Sequence, residues 1–149
     1  MKKAFKFLVL FVAIASMACI TSCTKDKEDL IVGKWKFYKA DVTITLDDPE
    51  MQAIMDQYLA VEVEELNAEM QNDQLEFRGD HTCVNIDEDG ESEPGTWSIN
   101  GDQLTVDGEL ITIKSLTKKS LVLEMVEAYE DEEDEMTGTW VFTMEYKRM

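Results

Sequence analysis

Short β-type segments separated by turn dipeptides fill the second half of the chain, and this pattern limits the fold more than any other sequence feature. Asn100-Gly101 and Asp107-Gly108 are the strongest turn signals, because Asn-Gly and Asp-Gly suit the positive φ angles of two-residue hairpins. Gly79-Asp80, Asp89-Gly90 and Lys118-Lys119 supply further turns. The strands predicted between these turns cover residues 74–78, 82–87, 96–100, 103–107, 109–116, 120–128 and 138–147.

An eighth strand precedes these seven, beginning at Leu30. Gly33 interrupts it, and residues 39–41 indicate a β-bulge. The β-type side chains of this strand are Ile31, Val32, Trp35, Phe37, Val42 and Ile44.

One helix, over about residues 48–71, is predicted after the first strand. Asp47 or Asp48 can cap it, Pro49 suits its first turn, and Glu50 lies at the positive end of the helix dipole. Apolar side chains recur at steps of three or four, which is typical of a helix with one buried face. They are Met51, Met55, Leu59, Val63, Leu66 and Met70.

The last predicted strand shows which side of the sheet is buried. Trp140, Phe142, Met144 and Tyr146 alternate with more polar residues, so one face belongs to the core and the other to solvent. Eight consecutive antiparallel strands suit a small closed barrel, because closure removes the exposed sheet edges. The prediction is a mainly all-β domain over residues 30–149, an eight-stranded up-and-down barrel with one helix after its first strand.

The N-terminal segment has the features of a signal peptide. Lys2, Lys3 and Lys6 precede an apolar run over residues 7–20, and about 20 apolar residues are needed to cross a bilayer as a helix. Residues 1–22 are therefore predicted to be an export signal rather than an anchor.

Ile20-Thr21-Ser22-Cys23 resembles the lipobox of bacterial lipoproteins. The resemblance implies that Cys23 is acylated and becomes the mature N-terminus, held to the bilayer through its acyl chains. Cys19 is a competing site without an aliphatic residue three positions upstream, and ordinary cleavage leaving Cys23 as a free thiol is the other alternative. Residues 23–29 then form a polar tether, and we expect an outer-membrane protein on the periplasmic face or the cell surface.

The charge excludes a nucleic-acid partner. The chain has 14 basic and 32 acidic residues, a formal net charge of −18, which is opposite to a nucleic-acid-binding surface. Removing residues 1–22, which carry three lysines and no acid, lowers the net charge by three, from −18 to −21. With Cys23 acylated, Cys83 is the one remaining thiol, so no intramolecular disulfide is expected.

Gly33-Lys34-Trp35 resembles the Gly-x-Trp signature of the lipocalins, in which an Arg from the last strand packs over the Trp. Arg148 is placed to be that Arg. Residues 75–82, 95–97 and 101–104 are similar to lipid-anchored, lipocalin-like domains of exported bacterial proteins. The resemblance implies a barrel that can hold a small apolar ligand.

A ligand cavity and a filled interior are both compatible with the sequence, because the side chains of an eight-stranded barrel can fill it. The residues expected to face a cavity are Phe37, Phe77, Trp97, Leu104, Leu123, Trp140, Phe142 and Met144. Met51, Met55 and Leu59 could form an adaptable lid, since thioethers suit irregular apolar ligands; ordinary packing of the helix on the barrel is the alternative.

Catalytic and metal-binding patterns are weak. Residues 85–93 partly match a calcium loop, but Thr96 stands where the bidentate Glu belongs. The acidic run at residues 130–135 is expected to be a solvated hairpin tip. His81 is the single histidine, and its proximity to Cys83 is better explained by packing than by a catalytic dyad. We therefore predict no enzyme activity, cofactor or metal.

The sequence is compatible with two functions. In the first, a lipid-anchored lipocalin-like module binds a small apolar ligand in the cell envelope. In the second, a solid-cored barrel uses its acidic surface to engage cationic envelope or host proteins and peptides.

Overall fold

The computed structural model describes residues 21–87, 89–92, 94–131 and 136–149. The predicted export signal lies outside the described residues up to residue 20, as do residues 132–135 of the acidic run. The elements are α1 (Thr21–Ile31), β1 (Gly33–Leu46), α2 (Pro49–Met70), β2 (Gln74–Phe77), β3 (Thr82–Asp87), β4 (Gly90–Glu91), β5 (Gly95–Asn100), β6 (Gln103–Val106), β7 (Glu109–Leu116), β8 (Ser120–Asp131) and β9 (Met136–Arg148).

Eight of these strands form a closed antiparallel barrel. Each pairs with its neighbour along the chain, and β9 returns to pair with β1 from Trp35↔Arg148 to Leu46↔Gly138. The two-residue strand β4 lies outside the ring and pairs only with the end of β3. The predicted mainly-β, eight-stranded barrel with a helix after the first strand is confirmed.

A bulge is present in β1, at Tyr38, one residue before the predicted range 39–41. The register of β1 against β9 shifts between Phe37 and Lys39. Because the bulge adds one residue, Phe37 and Ala40 both face the core although they are three residues apart. Both are buried, whereas Tyr38 is exposed.

Helix α2 begins directly after its N-cap residue, Asp48. One carboxylate oxygen of Asp48 accepts from the amides of Glu50 and Met51, at 2.8 and 3.3 Å, and Pro49 occupies the first turn. The helix packs along β1, and its polar side chains Gln52 and Asn67 bond to the β1 backbone. It therefore lies where a neighbouring strand would otherwise pair with the long β1.

The structure corrects the start of the first strand. Leu30 and Ile31 end helix α1 and do not begin the first strand, which starts at Gly33. The segment predicted to be a polar tether is part of the same helix. The reason is tertiary contact: Ile31 is fully buried, and Lys27 bonds to the Gly101 carbonyl at 3.1 Å and pairs with the Asp102 carboxylate. These contacts override the β propensity of the Leu-Ile-Val sequence.

The hydrophobic core lies inside the barrel and continues under α1. No polar or charged residue is buried among those the structure describes. The core consists of Ile31, Trp35, Phe37, Ala40, Phe77, Cys83, Trp97, Ile99, Leu104, Ile113, Leu121, Leu123, Phe142, Met144 and Tyr146, with Leu66 and Met70 of α2 packed against it.

Among the described residues, neither helix combines the length and the apolar character that a membrane span requires.

Candidate ligand-binding site

The barrel wall is weakest between β3 and β5. These strands share only the pairs Thr82↔Thr96 and Cys83↔Gly95. Beyond Cys83, β3 turns back in a hairpin with β4, in which the Ser92 amide donates to the Asn85 carbonyl at 2.8 Å. Because this part of β3 pairs with β4, an opening is left in the wall.

An apolar cavity of about 240 Å³ lies inside this opening. Its inner lining is buried and apolar, and its polar residues Asn85, Ser92 and Asp107 are exposed at the mouth. The interior of the barrel is therefore not completely filled by side chains. The full lining is Leu75, Phe77, Cys83, Val84, Asn85, Ser92, Gly95, Leu104, Val106, Asp107, Ile111, Leu123, Met144 and Tyr146.

Asp107 is held at the mouth by the hairpin between β6 and β7. Its φ of 50°, followed by 90° at Gly108, is the two-residue turn that the Asp-Gly sequence favours. One carboxylate oxygen accepts from the Thr96 amide at 2.7 Å. The other lies against Gly95, where any side chain would collide with the carboxylate. Gly95 thus leaves the space that the Asp107 side chain occupies.

Cys83 lies on the cavity wall and is 6 % exposed. Burial raises the pKa of its thiol, and the negative charge of Asp107 raises it further. The thiol stays protonated at neutral pH, so its chemistry here is that of a small apolar side chain.

Tyr146 is a buried residue of the cavity lining. Burial raises the pKa of its phenol, so the group is neutral. Its hydroxyl donates to the Met144 sulfur at 3.4 Å, a weak acceptor.

The structure brings half of the predicted cavity residues to the cavity. Phe77, Leu104, Leu123 and Met144 line it. The other four lie elsewhere: Phe37, Trp97 and Phe142 are buried in the core, and Trp140 is partly buried and stacked on Phe142 at 5.5 Å.

Sequence reasoning missed most of the mouth. Asn85, Ser92 and Gly95 are brought together by the divergence of β3 from β5, which no local pattern predicts. Leu75 and Tyr146 could have been found, because each alternates along its strand with a residue already assigned to the cavity.

The predicted lid residues lie on another part of the molecule. Met51, Met55 and Leu59 are half-buried on α2, which packs along β1, and none of them lines the cavity.

Gly33, Trp35 and Arg148 come together where α1 meets the barrel. The Arg148 guanidinium lies 4.2 Å above the centre of the buried Trp35 ring. It also donates to the carbonyls of Val32, at 3.0 Å, and Leu30. The Trp35 indole donates to the Ile31 carbonyl at 2.7 Å, which joins the end of α1 to the barrel.

The residues of the suggested calcium loop and of the suggested His81–Cys83 dyad have local structural contacts instead. The Asp87 carboxylate accepts from the Asp89 and Gly90 amides, forming the tight β3–β4 turn. His81 is exposed with its ring 4.9 Å from that of Trp97, whereas Cys83 is buried. Within the described residues, no three His, Cys, Asp or Glu side chains are grouped to hold a metal ion.

Comparison with known protein families gives a match over most of the chain. A family model described as a lipocalin-like domain matches residues 31–123, which is more than half of the chain. No curated protein and no solved structure matches the chain.

Proposed function

Since the chain belongs to the lipocalin-like domain family, we propose that it is a non-catalytic module that binds a small apolar ligand inside its barrel. The cavity between β3 and β5 carries this proposal. It combines a buried apolar wall with a few polar groups at the mouth, which is the usual composition of a small-molecule site.

The size of the cavity limits the ligand. At about 240 Å³ it exceeds the roughly 150 Å³ that accommodates benzene in an engineered apolar cavity. It is smaller than the roughly 300–1,000 Å³ of sites for drug-sized ligands. We therefore propose a ligand slightly larger than a single ring, or a short aliphatic chain.

Ligand entry is proposed through the wall of the barrel. The exposed residues Asn85, Ser92 and Asp107 mark the mouth, and only two residue pairs join β3 to β5 beside it. Apolar atoms would then contact Leu104, Leu123 and neighbouring side chains, where their burial provides the main binding free energy.

The alternative of a solid-cored interaction protein is less well supported. It requires side chains to fill the barrel, whereas the interior contains a cavity. The acidic surface is compatible with either function.

Native mass spectrometry of the mature protein, before and after solvent extraction, tests the proposal. We expect a small molecule that stays bound under gentle conditions and is lost on extraction. A folded variant with Ile111→Trp, which places a larger side chain at the cavity wall, should carry much less of it. Equal masses before and after extraction, combined with no uptake of added apolar molecules, would contradict the proposal.

We further propose that the module is a lipoprotein. This rests on the resemblance of residues 20–23 to a lipobox, with Cys23 as the acylated mature N-terminus in the outer membrane, on the periplasmic face or the cell surface. Two or more acyl chains give stable anchoring.

A Cys23→Ala substitution tests the anchor. The wild type should sediment with membranes and be released by detergent, and the variant should lose both acylation and membrane association. Cys83→Ala is the matched control, because it removes the thiol of the barrel and should leave partitioning unchanged. Membrane association of Cys23→Ala equal to that of the wild type would contradict lipidation at this residue.

A further inference from the structure

We propose that the cavity selects amines over carboxylates, taking a small apolar ligand with its ammonium group at Asp107. This inference rests on the proposed function and adds the chemical class of the ligand.

The charge of the lining supports this selection. Among the described residues that line the cavity, Asp107 is the one charged residue, and none is Lys or Arg. The remaining polar groups are the neutral side chains of Asn85, Ser92, Cys83 and Tyr146. A carboxylate ligand would therefore meet a like charge and find no cation to neutralise it.

The Asp107 carboxylate is positioned and has unused acceptor capacity. One oxygen accepts from the Thr96 amide at 2.7 Å and from the Thr96 hydroxyl at 3.4 Å, which fixes the side chain. The second lies beside Gly95, and each carboxylate oxygen can accept two hydrogen bonds. Within the described part of the chain, no basic side chain forms an ion pair with Asp107. An ammonium group can therefore reach it without displacing a protein cation.

The negative electrostatic potential of the Asp107 carboxylate extends into the cavity. Burial is the main cause of the raised pKa of Cys83, and the charge of Asp107 contributes to it. Because Cys83 lies on the cavity wall, a ligand there experiences the same negative potential. The net charge of −18 acts in the same direction at longer range.

Hexan-1-amine, hexan-1-ol and hexanoate form a suitable test series, because they share one apolar chain and differ in charge. Titrations at pH 7 are followed by the amide resonances of Gly95 and Ser92. We expect the amine to bind about tenfold more tightly than the alcohol, as for a hydrogen bond to a charged group, and hexanoate to bind most weakly.

Asp107→Asn is the decisive variant. Asn tolerates positive φ and can still accept from the Thr96 amide, so it removes the charge and keeps the turn. We expect it to lower the affinity for the amine to that for the alcohol. Asp41→Asn, on the exposed outer side of β1, makes the same change in net charge and should retain the preference.

Salt provides a second measurement that does not depend on a variant. Raising NaCl should weaken binding of the amine and leave that of the alcohol nearly constant. If none of the three compounds binds, the proposed function fails. If hexan-1-ol binds but the amine binds no more tightly, or if Asp107→Asn keeps the preference, the proposed function stands and the selectivity for amines is overturned.

Discussion

Gly33 and Arg148 are structurally coupled at the end of the barrel where α1 packs. A Cβ on Gly33 would collide with the Arg148 guanidinium, and the φ of 137° at Gly33 is one that L side chains rarely adopt. Arg148 in turn covers the Trp35 ring and bonds to two carbonyls at the end of α1. Glycine at this position therefore makes room for the arginine that closes the barrel end.

A double-mutant cycle measures this coupling. Gly33→Ala should destabilise the barrel by about 2–4 kcal/mol, from backbone strain and the collision. Arg148→Ala should cost about 2 kcal/mol through lost hydrogen bonds and cation–π contact. Together they should cost less than their sum in urea denaturation, because removal of Arg148 relieves the collision. Strict additivity would contradict the coupling.

The reactivity of the Cys83 thiol tests its placement on the cavity wall. Burial and the charge of Asp107 both raise its pKa, which lowers the thiolate fraction. Alkylation by iodoacetamide at pH 8 should be at least about tenfold slower in the folded protein than in urea. Hexan-1-ol should slow it further, because Cys83 lines the cavity. A folded protein that reacts as fast as the unfolded chain would contradict this placement.

Helix α2 covers the edge of β1 that has no strand partner. β1 pairs with β2 only from Gly33 to Lys36, so most of its second edge has no strand partner. The Phe37 amide donates to the Asp73 carbonyl beyond the end of α2, at 2.8 Å. Asn67 accepts from the Ala40 amide at 2.7 Å and donates to its carbonyl at 2.8 Å. Gln52 bonds in the same way to the Leu46 amide and the Ile44 carbonyl.

Replacement of Asn67 tests this role of α2. Asn67→Leu leaves the backbone amide and carbonyl of Ala40 without their side-chain partners, at a cost of about 1–3 kcal/mol. Gln57→Leu is a matched control, because Gln57 lies exposed on the same helix. Its effect should stay within about 0.5 kcal/mol. Equal losses for the two variants in urea denaturation would contradict the edge-covering role.

The two helices differ in how well the sequence predicts them. α2 was predictable because its cap, its Pro and its apolar stripe are all local signals. α1 was not, since its last residues have strand-type side chains. Their carbonyls are held by Trp35 and Arg148, and Asp102 pairs with Lys27 earlier in the helix. The same limit applies to the cavity: its inner wall follows from strand alternation, whereas its mouth depends on where β3 leaves β5.

Over the molecule as a whole, the acidic side chains of the described residues lie at the surface. No charged residue is buried among those the structure describes. Several lysines form cross-strand ion pairs with acidic side chains. Lys34 pairs with Glu76 at 3.8 Å, and Lys39 with Glu145 at 3.6 Å. Arg78 also bonds to Glu76, at 3.2 Å, and this hydrogen bond is the main cause of the lowered pKa of Glu76.

The lowered pKa of Glu76 predicts that Glu76→Gln changes the stability of the protein in a pH-dependent way. Because the pKa of Glu76 is lower in the folded than in the unfolded protein, its stabilisation is present above the unfolded value and is lost as pH falls through the folded value. Glu76→Gln should cost up to about 1 kcal/mol at pH 7 and almost nothing at the acid end. Urea denaturation at several pH values measures the difference, with exposed Glu64→Gln as control. A cost independent of pH would contradict the assignment.

The central claim is that the barrel keeps an apolar cavity open to solvent between β3 and β5. A crystal structure of the protein under xenon pressure tests it most directly, because xenon enters apolar cavities of this size without a specific chemical partner. We predict xenon inside the barrel, in contact with Leu104, Leu123 and Met144. A structure in which these side chains close on one another and no xenon enters would contradict the claim, and with it the proposed binding function.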